Sequence, residues 1–254
     1  MWQKIISLVI ALILVPSLCF SGIDFDGVDD YVNSVDVDIT GSLSISCWIK
    51  IDANVTGMNQ SLIGKQIGSG ILIFIRDDHP TTVFRRTIDF FVGQDNISTT
   101  QLSFGTWYNI VGTHSDSGDE TAVYINGVKE TLQLGGANTN NLTTDTETWK
   151  VAADFIGGVT DYMDGNITDV AVWNGLLTQA EITQLASSRI KRMPLQIQTA
   201  NLKIYYPMDD GVDGTSADLD TVKDLSGNGN NGNPDNGANN TGLSWQAETI
   251  LSYP

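Results

Sequence analysis

Between residues 23 and 175 the chain is a succession of short apolar segments, most with a two-residue period, each closed by a cluster of Gly, Asn, Asp or Thr. A two-residue period sends alternate side chains to opposite faces of a strand and has no use on a helix. In LSISCWIKI (43–51), Leu43, Ile45, Cys47, Ile49 and Ile51 share one face, and Ser44, Ser46, Trp48 and Lys50 the other. WYNIVGTH (107–114) and NITDVAVWN (166–174) alternate in the same way. ILIFI (71–75) and TIDFFV (87–92) are largely apolar at consecutive positions, as in strands covered on both faces. In TAVYINGVKE (121–130), Asn126-Gly127 divides two strand-like pieces and predicts a tight hairpin. Many short strands with regular punctuation predict an all-β fold, a two-sheet antiparallel jelly-roll sandwich.

Two segments depart from this pattern. Thr178 precedes QAEITQLASS with Glu181 three residues on, the spacing of a capping box, so one short helix is expected near 178–187. SRIKRMPLQ (188–196) is locally basic and reads as a solvated connector. Beyond it, LKIYYPM (202–208) looks like a strand, and DLSGNGNNGNPDNGANNTG (224–242) is dense in turn formers before Leu243-Ser244-Trp245. These shifts divide the chain into a leader (1–21), a sandwich domain (22–188), a connector (189–200) and a turn-rich C-terminal edge element or partial repeat packing on the sandwich (201–254).

The leader, MWQKIISLVIALILVPSLCFS, has a positive Lys4, an apolar run over Ile5–Val15 and a break at Pro16-Ser17. The run is short for a membrane span and reads as a secretory signal peptide cut after Ser21. A secreted protein with no membrane segment after cleavage is the expectation. Only Cys47 would then remain, so no internal disulfide can form, and the residue reads as a small core side chain. The formal charge is −17, and 25 of the 30 acidic residues are aspartate, a turn former and a ligand of hard cations. Such a balance argues against binding nucleic acid by phosphate neutralisation.

The densest aspartate cluster is DFDGVDDYV (24–32). If it runs as strand, turn at Gly27, and second strand, then Asp26, Asp29 and Asp30 come close together. Like charges so placed need either water or a cation. Two readings stay open: a Ca²⁺ site, or turn acids facing solvent, with Asp30 capping a turn.

DFDGVDDYV, SLSISCWIKI, TWYNIVGTH, AVYINGVKE, FIGG and MDGNITDVAVWNGLLTQAEITQLAS, in that order, resemble the laminin-G-like, concanavalin-A-like lectin/glucanase jelly-roll domains over residues 22–188. The resemblance implies two stacked antiparallel sheets and an extracellular binding role. It also implies calcium near one edge of the sandwich. Carried over, the late-strand aspartate Asp169 would lie beside the early turn as a ligand, with Asp26 the leading early ligand and backbone carbonyls near Gly27 completing the set. IYYPMDDG followed by VKDLSGNGNNGN is similar to a segment that often precedes the FDGVDDYV motif in such domains, here placed after it. Chains of this layout also resemble proteins of marine phages and bacteria, which implies association with other virion proteins as an alternative.

Catalysis finds little footing. Glycoside hydrolysis needs two carboxylates converging on one bond. No Glu-x-Asp-x-x-Glu or Glu-x-Asp-x-Glu strand occurs; DTETW (145–149) has a single Glu, and Glu120 and Glu130 flank the predicted hairpin. His79 and His114 are the only histidines, too few for a zinc site, and neither suggests a triad. For binding, Trp107 and Trp173 fall in strand motifs and read as packing, whereas Trp149 follows a polar run on what should be an exposed loop, where it either contacts a ligand or anchors the loop, and Tyr162 lies in the loop GVTDYMDG. Trp149 and Tyr162 are the candidate ligand contacts. The sequence therefore reads as a secreted, non-catalytic carbohydrate-binding or adhesion module whose partner is a glycan or cell-surface ligand. A phage structural or receptor-recognition protein and a glycoside hydrolase are the alternatives.

Overall fold

The structure is a computed structural model and describes residues 19–52, 59–65, 70–76, 85–154, 161–187, 193–209, 221–235 and 243–249. The proposed leader falls almost wholly outside these residues, as does His79. Two antiparallel sheets of eight strands each form a sandwich. The first runs β10 (Val128–Lys129), β9 (Glu120–Ile125), β8 (Trp107–Ser115), β3 (Ser42–Ile51), β13 (Asp164–Trp173), β1 (Cys19–Asp26) and β16 (Ser244–Thr249). The far half of β13 takes a further partner, β14 (Leu202–Tyr206). The second runs β11 (Leu132–Leu134), β7 (Ile97–Ser98), β6 (Thr87–Val92), β5 (Ile71–Arg76), β4 (Gln60–Lys65), β12 (Lys150–Val151), β2 (Tyr31–Asn33) and β15 (Asn233–Asp235). The all-β sandwich read from the period-two pattern is therefore the fold.

Alternation puts Leu43, Ile45, Cys47, Ile49 and Ile51 of β3 into one core with Ile71, Ile73 and Ile75 of β5 and Ile88, Phe90 and Val92 of β6. Cys47 is buried and free, as expected of a core residue. β5 is buried at five consecutive positions, the reason its sequence shows no polar alternation. A second apolar cluster lies on the outer face of the first sheet. There α1 (Gln179–Ser187) lays Ile182 and Leu185 against Val111, Tyr124 and Trp173. Its capping box is formed: the Glu181 carboxylate accepts from the Thr178 backbone N–H at 2.7 Å, and Thr178 Oγ1 accepts from the Glu181 N–H at 3.3 Å. Between β9 and β10, Asn126 (φ 51°) and Gly127 (φ 79°) both take the left-handed conformation that a two-residue hairpin requires. Ile204, Tyr206, Leu243 and Trp245 join the main core, so the last strands share the hydrophobic interior of the rest. Among the described residues no helix is long and apolar enough to cross a membrane.

Candidate functional site

The register Phe25↔Gly165 and Asp26↔Asp164 lays the end of β1 against the start of β13. The chain then turns at Gly27 (φ 75°), where a Cβ would stand 2.8 Å from the Cβ of Asp164, and returns as β2 in the opposite sheet. Only glycine meets both demands at once. This crossing brings Asp26, Asp29 and Asp30 together, with one oxygen from each within 4.8 Å of the others. Asp26 Oδ1 accepts from the Val28 N–H at 2.9 Å, and the Asp26 N–H donates to Asp30 Oδ2 at 3.2 Å. Asp30 is fully buried, and its Oδ1 has no hydrogen-bond partner. Burial pushes its pKa up to about 7; the Asp26 N–H works the other way, and the Asp26 and Asp29 carboxylates add to the rise. A buried carboxylate with one orphaned oxygen and two acidic neighbours suits a hard cation bound by oxygen alone.

A second triad, Asp36, Asp38 and Asp145, also converges. Its centre is taken by the Lys65 ammonium, at 2.6 Å from Asp36, 2.8 Å from Asp38 and 3.3 Å from Asp145. Burial works against that charge, but the Asp36 and Asp38 hydrogen bonds and the Asp145 carboxylate outweigh it and raise the Lys65 pKa. Nothing local in the sequence announced this arrangement, because its members are 27 or more residues from Lys65.

Two expectations require correction. Asp169 is not beside the early turn. It lies five residues beyond Asp164, the partner of Asp26, or roughly 17 Å along the strand. A bulge between Thr168 and Ala171 puts it at φ 49°, and its Oδ1 accepts from the Tyr205 hydroxyl at 2.6 Å. It therefore ties β13 to β14. Trp149 is not on an exposed loop: it is 1% exposed, and its Nε1 donates to the Val37 carbonyl at 2.9 Å. The polar run before it wraps over the end of the core and uses the ring as an anchor. Trp173 is buried as packing, its Nε1 donating to the Ile197 carbonyl, and Trp107 is half-buried. Tyr162 is half-buried and close enough to Tyr31 to act electrostatically on its phenol. Tyr31 directly follows Asp30 and donates to Asp235 Oδ2 at 2.8 Å; its side of the turn was not singled out from sequence, because Asp235 is 204 residues away.

Glu120 and Glu130 line one open cleft of about 450 Å³ with Lys129, Leu132 and Gly136. Both are engaged, Glu120 by the Lys129 ammonium at 2.6 Å and Glu130 by the Thr100 N–H at 3.0 Å. His114 is buried between Thr121 Oγ1 at 2.8 Å and Asp116 Oδ1 at 3.2 Å. These contacts tie strands to loops and engage each of the three groups.

The model of the laminin-G-like group of the concanavalin A-like lectin/glucanases superfamily matches residues 26–183. A Bacteroides ovatus structure described as a "putative carbohydrate binding protein" superposes with a TM-score of 0.69 at 17% identity, covering 92% of this chain and 61% of that one. The chain thus spans about three-fifths of that protein's length. The heptameric SAP-like pentraxin of Limulus polyphemus superposes with a TM-score of 0.50 at 16% identity, covering 67% of this chain and 83% of that one. At these identities both likenesses concern the fold. No curated protein matches the chain.

Proposed function

Because the chain belongs to the concanavalin A-like lectin/glucanase superfamily, we propose that it is a secreted carbohydrate-binding module in which Ca²⁺ holds the turn after β1. Asp30 carries the calcium half of this reading. It is buried, orphaned at Oδ1 and flanked by Asp26 and Asp29, whereas the other acidic triad already contains the Lys65 ammonium. Asp26, Asp29 and Asp30 would hold the ion, with backbone carbonyls and water supplying the remaining oxygens that calcium requires. Such an ion offsets the repulsion of three carboxylates and fastens β1 to β2 across the two sheets. The fold shared with the Bacteroides ovatus protein supports the carbohydrate half. Tyr31, which directly follows Asp30, and the half-buried Tyr162 are the aromatic side chains this reading assigns to the sugar. The engaged states of Glu120, Glu130 and His114 support binding without hydrolysis. The apolar run at residues 5–15 supports export.

The test is a glycan array probed in calcium and again in chelator, with terbium luminescence as a direct report on the cation. Glycan binding lost in chelator supports a calcium-dependent lectin. Binding that survives chelator keeps the lectin and leaves the ion as a staple. No glycan bound in either condition rejects the carbohydrate reading.

A further inference from the structure

The end of the sandwich that carries the aspartate turn also carries two adjacent arginines that, among the described residues, have no carboxylate within ion-pair distance. Lys50, Lys65, Arg76, Lys129 and Lys150 each lie within 4 Å of a carboxylate. Among the described residues Arg85 and Arg86 have none so close. Arg85 is exposed, and the Arg86 guanidinium lies 5.0 Å from the ring centre of Phe104, which is itself 42% exposed. Arg86 also has φ 56°, a conformation that favours glycine or asparagine. It is held there from both sides: its N–H donates to the Arg76 carbonyl at 2.5 Å, and its carbonyl accepts from the Leu102 N–H at 2.8 Å. An arginine kept at such a backbone position, stacked on an exposed ring in a chain of net charge −17, points to a use for its side chain.

We propose that Arg85, Arg86 and Phe104 form an anion-reading surface, and that the ligand is a saccharide bearing carboxylates. This rests on the carbohydrate reading above and narrows it. The planar guanidinium fork matches a carboxylate, and the aromatic ring offers an apolar face to a sugar's C–H groups. In a chain of net charge −17, two adjacent arginines without a close carboxylate among the described residues favour where such a ligand lands. Strand register shows that the patch and the aspartate turn share one end. The Gly105 N–H donates to the Ile51 carbonyl at the end of β3, Ile51 pairs with Gly165, and Asp164 pairs with Asp26. Gly105 lies three strand spacings from Asp26 by this path, and Arg86, at the head of β6, lies four from β2, so the two are on the order of 15–20 Å apart, within reach of one oligosaccharide.

The experiment is calorimetric titration of the whole protein with trigalacturonate and with its methyl ester, at one fixed calcium concentration. The acid should bind at least tenfold more tightly than the uncharged ester, and less tightly as salt rises. Arg85→Gln and Arg86→Gly should each weaken the acid about tenfold without lowering the melting temperature. Glycine suits the backbone at 86, so that variant separates the lost charge from a lost fold. Equal binding of acid and ester, or unchanged affinity in both variants, would overturn the proposal. So would equal affinity for polyglutamate, which would mean that charge alone is read. Neutral saccharides bound in calcium with no preference for trigalacturonate would keep the carbohydrate reading and overturn this one; no saccharide bound would overturn both.

Discussion

A carboxylate shielded from water must be neutralised, paired or given a cation. Lys65 is the paired solution, a lysine threaded from β4 into a cage of three aspartates. Replacing it with Met leaves three carboxylates facing one another. The expected loss in urea denaturation is roughly 2–4 kcal/mol, at the low side for a buried pair because Asp36 and Asp38 still reach water. The Lys65 hydrogen bond, followed by the Asp145 N–H, holds Asp38 below the usual carboxylate range. A group whose folded pKa is depressed adds stability above its unfolded value and loses it as pH falls through the folded one. Thermal melting should therefore drop on acidification below about pH 4, and less steeply in Asp38→Asn. Asp30 has no such ammonium. If the proposed ion is bound, calcium should raise the melting temperature of the unaltered protein, and Asp30→Asn should abolish that rise and weaken terbium binding about a hundredfold. The clustering of Asp26, Asp29 and Asp30 was legible in the sequence because the three sit within five residues around one glycine. The Lys65 cage was not, because its carboxylates reach it from separate loops.

Elements were legible where their signal is local. The Asn126-Gly127 hairpin and the Thr178/Glu181 cap formed as the sequence implied, since each depends on two to four adjacent residues. The cap also closes the second apolar cluster, so Thr178→Ala should cost about 1 kcal/mol in a denaturation experiment. β13 was harder to read. Its alternation looks regular, yet a bulge between Thr168 and Ala171 changes its partner from β1 to β14 and carries Asp169 away from the turn. At its start, Gly165 (φ 135°) approaches so closely that a Cβ would lie 2.2 Å from the Lys50 carbonyl oxygen. Gly165→Ala should therefore part β13 from β3, a contact with no flexible atom to yield. Loss of soluble protein, or a fall in melting temperature well beyond that of Thr178→Ala, is the expected reading.

At the scale of the molecule, both sheets are finished by the last part of the chain. β14 and β16 extend the first sheet and β15 the second, and Ile204, Tyr206, Leu243 and Trp245 fill the shared core. A chain ending at residue 192 should expose those partners and fail to melt cooperatively in circular dichroism. The sequence by itself determined the strand content, the two-sheet class, the hairpin, the capped helix and the aspartate turn, because period, turn chemistry and capping act over a few neighbouring residues. Only the tertiary structure decided that Trp149 is an anchor, that Asp169 serves β14, that Lys65 occupies one of the two aspartate triads, and that Arg86 lies on Phe104. Each depends on which distant strands become neighbours, and that follows from burying one core between two sheets rather than from any local pattern.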